Sequence, residues 1–222
     1  YYALLNNTTG VDNTGTGKDS LVNNISGDFN SAFGKGALYN NTSGDNNVAV
    51  GLRALEANTT ANDNTGIGSF ALNSNTTGAN NTAVGRRALN SNTTANNNTA
   101  LGFDSLKENT TGTNNTAVGY ESMKANTTGV NNAAFGYRCL LSNTSGTRNL
   151  AILHNTLTNN TTGNDNAAIG QGALFENTTG SQNVALGNHA LDANTTADNN
   201  TAVGYNSLSA NTTGTQNTAV GK

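Results

Sequence analysis

A five-residue phrase, Asn217-Thr218-Ala219-Val220-Gly221, recurs upstream at a fixed interval of 17 residues, without one insertion or deletion across thirteen copies. The copies open at Asn13, Asn30, Asn47, Asn64, Asn81, Asn98, Asn115, Asn132, Asn149, Asn166, Asn183, Asn200 and Asn217. An interval kept this strictly requires one shared geometry, because an added residue would shift the register of every later copy. That is the signature of a solenoid, in which each repeat stacks on its neighbours and folds with them.

Taken alone, the composition points elsewhere. Only 34% of the chain is hydrophobic and 5% aromatic, with no Trp and no Pro, and so little apolar surface has trouble offsetting conformational entropy. The period overrules that reading, because a disordered tract has no reason to keep a large aliphatic residue at fixed places in every copy. A net charge of -3 with 10% charged residues offers no basic stripe for nucleic acid and no polybasic anchor. No apolar run approaches the ~20 residues of a membrane-spanning helix, so neither nucleic acid nor membrane insertion is expected. A lone cysteine, Cys139, excludes an internal disulfide framework. The chain opens at Tyr1 and closes at Lys222, both in mid-repeat, and residues 1–222 are expected to be a single solenoid region cut from a longer fibre protein.

Numbering the repeat from its Asn, position 3 is Ala except at Gly15 and Gly66, and position 4 is large and apolar except at Thr16. Position 5 is Gly except at Leu153, position 8 is small, and position 9 is Leu except at Met123. Positions 12 to 15 read Asn-Thr-Thr-Gly with small changes, a turn sequence of residues that accept left-handed backbone or bond their own main chain. No apolar stripe at helical spacing appears. Each coil therefore reads as a short strand, a corner at Gly, a second short apolar segment and a polar turn, and the fold as an all-β parallel β-solenoid, or β-roll, of thirteen 17-residue coils. Alternation along the strand puts the aliphatic at position 4 on one face and the Ala and Gly at positions 3 and 5 on the other. The aliphatic is expected to be buried with the Leu. The small-residue face is expected to meet a closely packed neighbouring chain, since one Val and one Leu per coil are too few to order 17 residues alone. A homotrimer follows from that expectation together with the resemblance described below.

Position 12 is Asn in every copy: Asn7, Asn24, Asn41, Asn58, Asn75, Asn92, Asn109, Asn126, Asn143, Asn160, Asn177, Asn194 and Asn211. Each opens an N-x-S/T sequon, which reads as N-glycosylation. Successive coils are only ~5 Å apart, too close for a glycan on each, and the structural reading is an Asn ladder whose amides bond up and down the stack.

The phrase as it stands in Asn47-Val48-Ala49-Val50-Gly51, and again in Asn183-Val184-Ala185-Leu186-Gly187, resembles the head repeats of trimeric autotransporter adhesins. The longer form with Asn-Thr-Thr-Gly is similar to repeat tracts of tail-fibre-type proteins. The resemblance implies a left-handed parallel β-roll with three chains side by side, displayed extracellularly on a cell or virion surface for attachment to a host receptor or glycan. Adhesin heads use a shorter coil, so the Asn-Thr-Thr-Gly segment would be an added corner or loop.

Chemistry is sparse. His154 and His189 lie two coils apart with no ligand set at metal spacing, so no enzyme activity and no cofactor are expected. Asp12, Asp28, Asp45 and Asp63 fall at positions 16 or 17 of consecutive turns and line one edge, a place for a hard cation or simply a solvated row. The better candidate is aromatic: Phe103, Tyr120 and Tyr137 occupy position 6 in three successive coils, with Tyr1 and Tyr205 at the same position elsewhere. Such rings can stack on sugars or on one another. The coil opening at Asn149 is irregular, with Leu150, Leu153 in place of the corner Gly, His154, and Arg148 in the Asn/Asp row; there the rod is expected to kink or widen, or a side-chain cluster to face a partner. The reading is a structural and adhesive segment of a surface fibre. Its rivals are an ice-binding solenoid built on Thr and Asn rows and a self-assembling surface filament.

Overall fold

The computed structural model describes residues 2–222, so Tyr1, expected among the position-6 aromatics, lies outside the described residues. The chain is all-β, a parallel β-solenoid with one three-residue strand per 17-residue coil and no helix among the described residues. Residues up to Thr113 make one compact unit and Asn114–Lys222 a second. In the first, β1 (Thr14–Thr16), β2 (Ser31–Phe33), β3 (Val48–Val50), β4 (Thr65–Ile67), β5 (Thr82–Val84) and β6 (Thr99–Leu101) each pair in parallel with the next. In the second, β7 (Thr116–Val118), β8 (Ala133–Phe135), β9 (Leu150–Ile152), β10 (Ala167–Ile169), β11 (Val184–Leu186), β12 (Thr201–Val203) and β13 (Thr218–Val220) do the same.

The interdiction on insertions has a direct cause. Bonds to the neighbouring coil come from the strand, from the second apolar segment and from the turn alike. In one pair of coils, Val48 N–H donates to the Asn64 carbonyl at 2.8 Å, Leu55 N–H to Ala71 at 3.0 Å and Thr59 N–H to Thr76 at 3.1 Å. A single extra residue would pull every donor beyond it off its acceptor.

The two strand faces are the reverse of the sequence expectation. Ala32, Ala49, Ala83 and Ala100 in the first unit, and Ala117 through Ala202 at position 3 of the second, are completely buried inside their own coils. They face the Leu row; a β-carbon on Gly66 would lie 3.3 Å from Leu55 Cγ. What the small face holds close is thus the second segment of its own coil and of the one before, not a neighbouring chain. A coil of 17 residues has room across its section for one Leu and one Ala, so the bulkier position 4 is turned outward. Phe33, Val50, Ile67 and Leu101 in the first unit, and Phe135, Ile169 and Leu186 in the second, are each more than one-third exposed.

Left-handed backbone recurs at positions 7, 9 and 17, as in Arg53 (φ 53°), Leu55 (φ 52°) and Asp63 (φ 59°). A bulky Leu at positive φ is uncommon because its β-carbon crowds the carbonyl. Here full burial of the side chain and an inter-coil bond from its N–H offset the strain. At position 5 the demand for glycine is absolute in the regular coils: Gly68 has φ 131°, and a β-carbon there would come within 2.5 Å of the Gly85 carbonyl oxygen. Leu153 meets the same demand by shifting to φ 90°. The parallel register runs through it unbroken, with Leu153 N–H donating to Phe135 at 2.9 Å and Gly170 N–H to Ile152 at 3.1 Å. The kink or widening expected there is absorbed as a local change of φ.

Candidate functional site

The turn side of the coil carries two rows of asparagine amides. At position 12, Asn41 Nδ2 donates to Asn24 Oδ1 at 2.7 Å and to the Gly44 carbonyl at 2.9 Å. The pattern repeats through Asn58, Asn75 and Asn92 in the first unit and Asn143, Asn160, Asn177, Asn194 and Asn211 in the second. Both amide hydrogens are committed, and the side chains from Asn24 to Asn194 in this row, Asn109 and Asn126 included, are fully buried. Asn7 and Asn211 are partly exposed but make the same bond to the carbonyl three residues on. A glycan on Nδ2 of the folded coil would have to displace one of these bonds and occupy filled space. A second row at position 1 was not assigned a role from sequence: Asn47 donates its N–H to Asn30 Oδ1 at 3.0 Å and its Nδ2 to the Ala61 carbonyl at 2.8 Å. Its signal was plain, an Asn kept in every copy.

The opposite corner, positions 6 and 7, is where coils differ. In the first unit Phe103 lies beneath two guanidinium groups, Arg86 at 5.6 Å and Arg87 at 5.3 Å from the ring centre. Arg87 also forks onto Asp104 with two bonds of 2.8 Å. In the second unit Tyr120 stacks on Tyr137 (5.3 Å between centres, 8° between planes), and Tyr137 stacks on His154 (4.9 Å, 10°). These rings turn faces to one another and edges outward. Arg138 lies 5.1 Å over the Tyr137 ring and donates through Nε to Glu121 Oε2 at 2.9 Å, while Lys124 Nζ donates to Glu121 Oε1 at 2.7 Å. The Lys124 ammonium holds the Glu121 carboxyl below its ordinary value, against the opposing effect of burial and with further help from Arg138. Leu153, beside the stack in sequence, is 52% exposed.

Beyond His154 the corner opens into a groove of about 540 Å3 in the second unit. Its shape comes from small residues: Gly172 stands at position 7, where Asn155, His189 and Asn206 carry side chains in the coils around it, and Ala193 and Ala210 stand at position 11. The rest of the lining includes Phe175, Glu176 and Asp192. His189 Nδ1 is 3.4 Å from Asp192 Oδ2, and its ring meets Tyr205 edge-on at 6.5 Å. The floor is held at coil pitch by backbone bonds, Gly172 N–H to the His154 carbonyl (3.2 Å) and His189 N–H to Gln171 (2.9 Å).

The remaining candidates lie apart from this corner. Arg148, at position 17, forks onto Asp165 with bonds of 2.6 and 2.8 Å and holds that carboxyl below its usual range. The acidic row is spent on backbone: Asp28 accepts from Val11 N–H and Asp45 from Asp28 N–H, each at 2.8 Å. Asp12 and Asp63 sit at left-handed turn positions. Among the described residues no group of three or more His, Cys, Asp or Glu could hold a metal ion. Cys139 is buried, its thiol against the Leu153 and Phe135 carbonyls, and burial pushes its pKa up to about 11.

Compared with known proteins, the chain matches no family model, no curated protein and no solved structure. Of the residues singled out from sequence, Tyr120, Tyr137 and His154 come together, whereas Phe103 belongs to the first unit and Arg148 to another edge. The groove residues Gly172, Phe175, His189 and Asp192 were not foreseen, although a glycine at position 7, shared with Gly36 alone while the other coils carry side chains there, was a readable mark.

Proposed function

We propose that this chain is a structural and adhesive segment of a surface fibre, displayed outside the cell or virion, that contacts host glycans along the corner from Tyr120 to the groove. One observation carries the reading: three rings stacked at position 6 lead into a groove edged by Glu176 and Asp192, on a scaffold otherwise committed to its own ladders. Tyr120 and Tyr137 remain 42% and 38% exposed. Sugars suit such a surface because their C–H groups pack on the exposed ring edges and their hydroxyls bond the carboxylates of the groove. No catalytic step is proposed. The test is a glycan array followed by titration with Tyr137→Ala, for which binding is expected to weaken by about tenfold, as the loss of about 1.4 kcal/mol of ring contact implies.

The outward row at position 4 supports assembly as a homotrimer. Each partly exposed aliphatic has about 1 kcal/mol left to gain from cover, and the row repeats once per coil. Two further copies of the same chain are the occupants proposed, since they repeat at the same pitch. Light scattering is expected to give a mass near three times 22.6 kDa; a monomer overturns this part. The ice-binding reading draws on Thr65, Thr82 and Thr99, which sit at the outward position 2 of three successive strands. Thermal hysteresis in concentrated protein would put that reading first, and its absence would remove it.

A further inference from the structure

At position 7 the side chains pair from coil to coil. Arg87 meets Asp104 in the first unit, and Arg138 meets Glu121 in the second. The pairing stops at Asn155, whose counterpart one coil on is Gly172. Asn155 Oδ1 is consequently the one buried side-chain polar atom without a partner among the described residues. Buried acceptors are normally satisfied; this one is closed off from solvent, so the carboxylates that face the groove are those of Glu176 and Asp192. Gly172 also lines the groove, and it admits the His189 ring: a β-carbon there would lie 3.0 Å from His189 Nδ1. Its backbone gives no reason for glycine, because φ is 66° there and 54° and 55° at Asn155 and Asn206, which carry side chains. Gly172 is therefore explained by the His189 ring seated against it, which a side chain would push away.

The charge of that space is one-sided. Glu176 and Asp192 line it and no lysine or arginine does. Arg138, one coil before Asn155, is engaged with Glu121 in the coil before its own. We infer that the groove bounded by His154, Asn155, Phe175, Glu176, His189 and Asp192 is a saccharide subsite that takes neutral or amino sugars and rejects carboxylated ones. Ligand hydroxyl or ammonium groups donate to Glu176 and Asp192, and His154 and Phe175 supply flat surface. A groove of this volume lies within the range of roughly 300 to 1,000 Å3 usual for small-ligand pockets. This assignment rests on the glycan-binding reading and adds to it a second site and a selectivity.

The experiment is calorimetric titration of the whole chain with three oligosaccharides of matched length: an N-acetylhexosamine oligomer, its de-N-acetylated amine form, and a uronate oligomer. Wild type is expected to bind the first two at least tenfold more tightly than the third. Gly172→Asn, a residue that neighbouring coils carry at this position, is expected to keep the β-sheet circular dichroism and melting temperature while losing at least tenfold in affinity. The pair Glu176→Gln and Asp192→Asn is expected to remove the discrimination against uronate. Uronate binding equal to or tighter than the others overturns the inference, as does unchanged affinity in Gly172→Asn. Affinity lost in Tyr137→Ala but kept in Gly172→Asn leaves the adhesive reading standing and ends this one; the reverse pattern supports the groove and moves binding off the stack. If none of the three saccharides binds, this inference falls, and the glycan array decides the adhesive reading.

Discussion

The two edges of the coil share a pitch and a backbone but obey different rules. On the turn edge, Asn41, Asn58 and Asn75 are interchangeable: each is fully buried, each spends both amide hydrogens in the same two bonds, and nothing about one distinguishes it from the next. On the corner edge, position 6 holds Tyr120, Tyr137, His154 and Gln171 in succession, and position 7 holds Glu121, Arg138, Asn155 and Gly172. The difference teaches where the fold is stored. Residues that satisfy buried backbone cannot vary without leaving a donor or acceptor stranded, whereas residues at the corner bond one another and solvent, and can be exchanged in sets. Recognition can therefore be written on one edge without rewriting the other.

The sharpest way to break that contrast is Asn58→Ala. It strands Asn41 Oδ1 and takes the acceptor from Asn75, while the Ala61 carbonyl keeps its bond from Asn47 Nδ2, and a loss of about 3 kcal/mol is expected from two groups at ~1 to 3 kcal/mol each, checked by urea denaturation. Next is Leu153→Gly, which relieves a non-glycine residue at φ 90°. A gain of about 1 kcal/mol in stability is expected, and if Leu153 belongs to the binding corner it comes with weaker glycan affinity. Glu121→Gln separates the edges by pH. Because Lys124 lowers the Glu121 pKa, the ionised pair stabilises the fold above pH 4.5, the ordinary value, and that contribution is lost as pH falls through the lower folded value. The variant is expected to flatten the acid limb of the stability curve, measured by thermal melts between pH 2 and 6. Smallest is Arg148→Ala: the Asp165 fork is open to solvent, so the melting temperature at neutral pH is expected to stay within error.

Much of the scaffold was legible because a constraint repeated thirteen times is visible in any one copy. The period, the single short strand, the Leu row and the turn could be read directly. The facing of the strand could not. In a three-residue strand, Ala and Val alternate just as well with either one inward, and the choice depends on how wide the coil is inside, which no residue states. Neither could the left-handed Leu, since leucine carries no local preference for positive φ. The corner was legible as a column of aromatic letters, yet the groove was not. It arises from what Gly172, Ala193 and Ala210 omit in three successive coils, and from His189 leaning into the gap.

One feature of the ladders reaches past the folded molecule to the gene. The ladder bonds of a coil run to the coils one before and one after it, and each coil offers the same donors and acceptors. Recombination between repeats that adds or removes whole multiples of seventeen codons leaves every ladder intact, whereas a change of one codon misaligns everything downstream. Length can then drift between generations as a tolerated variable, and the sites at the corner can be duplicated, spaced or deleted with the coils that carry them.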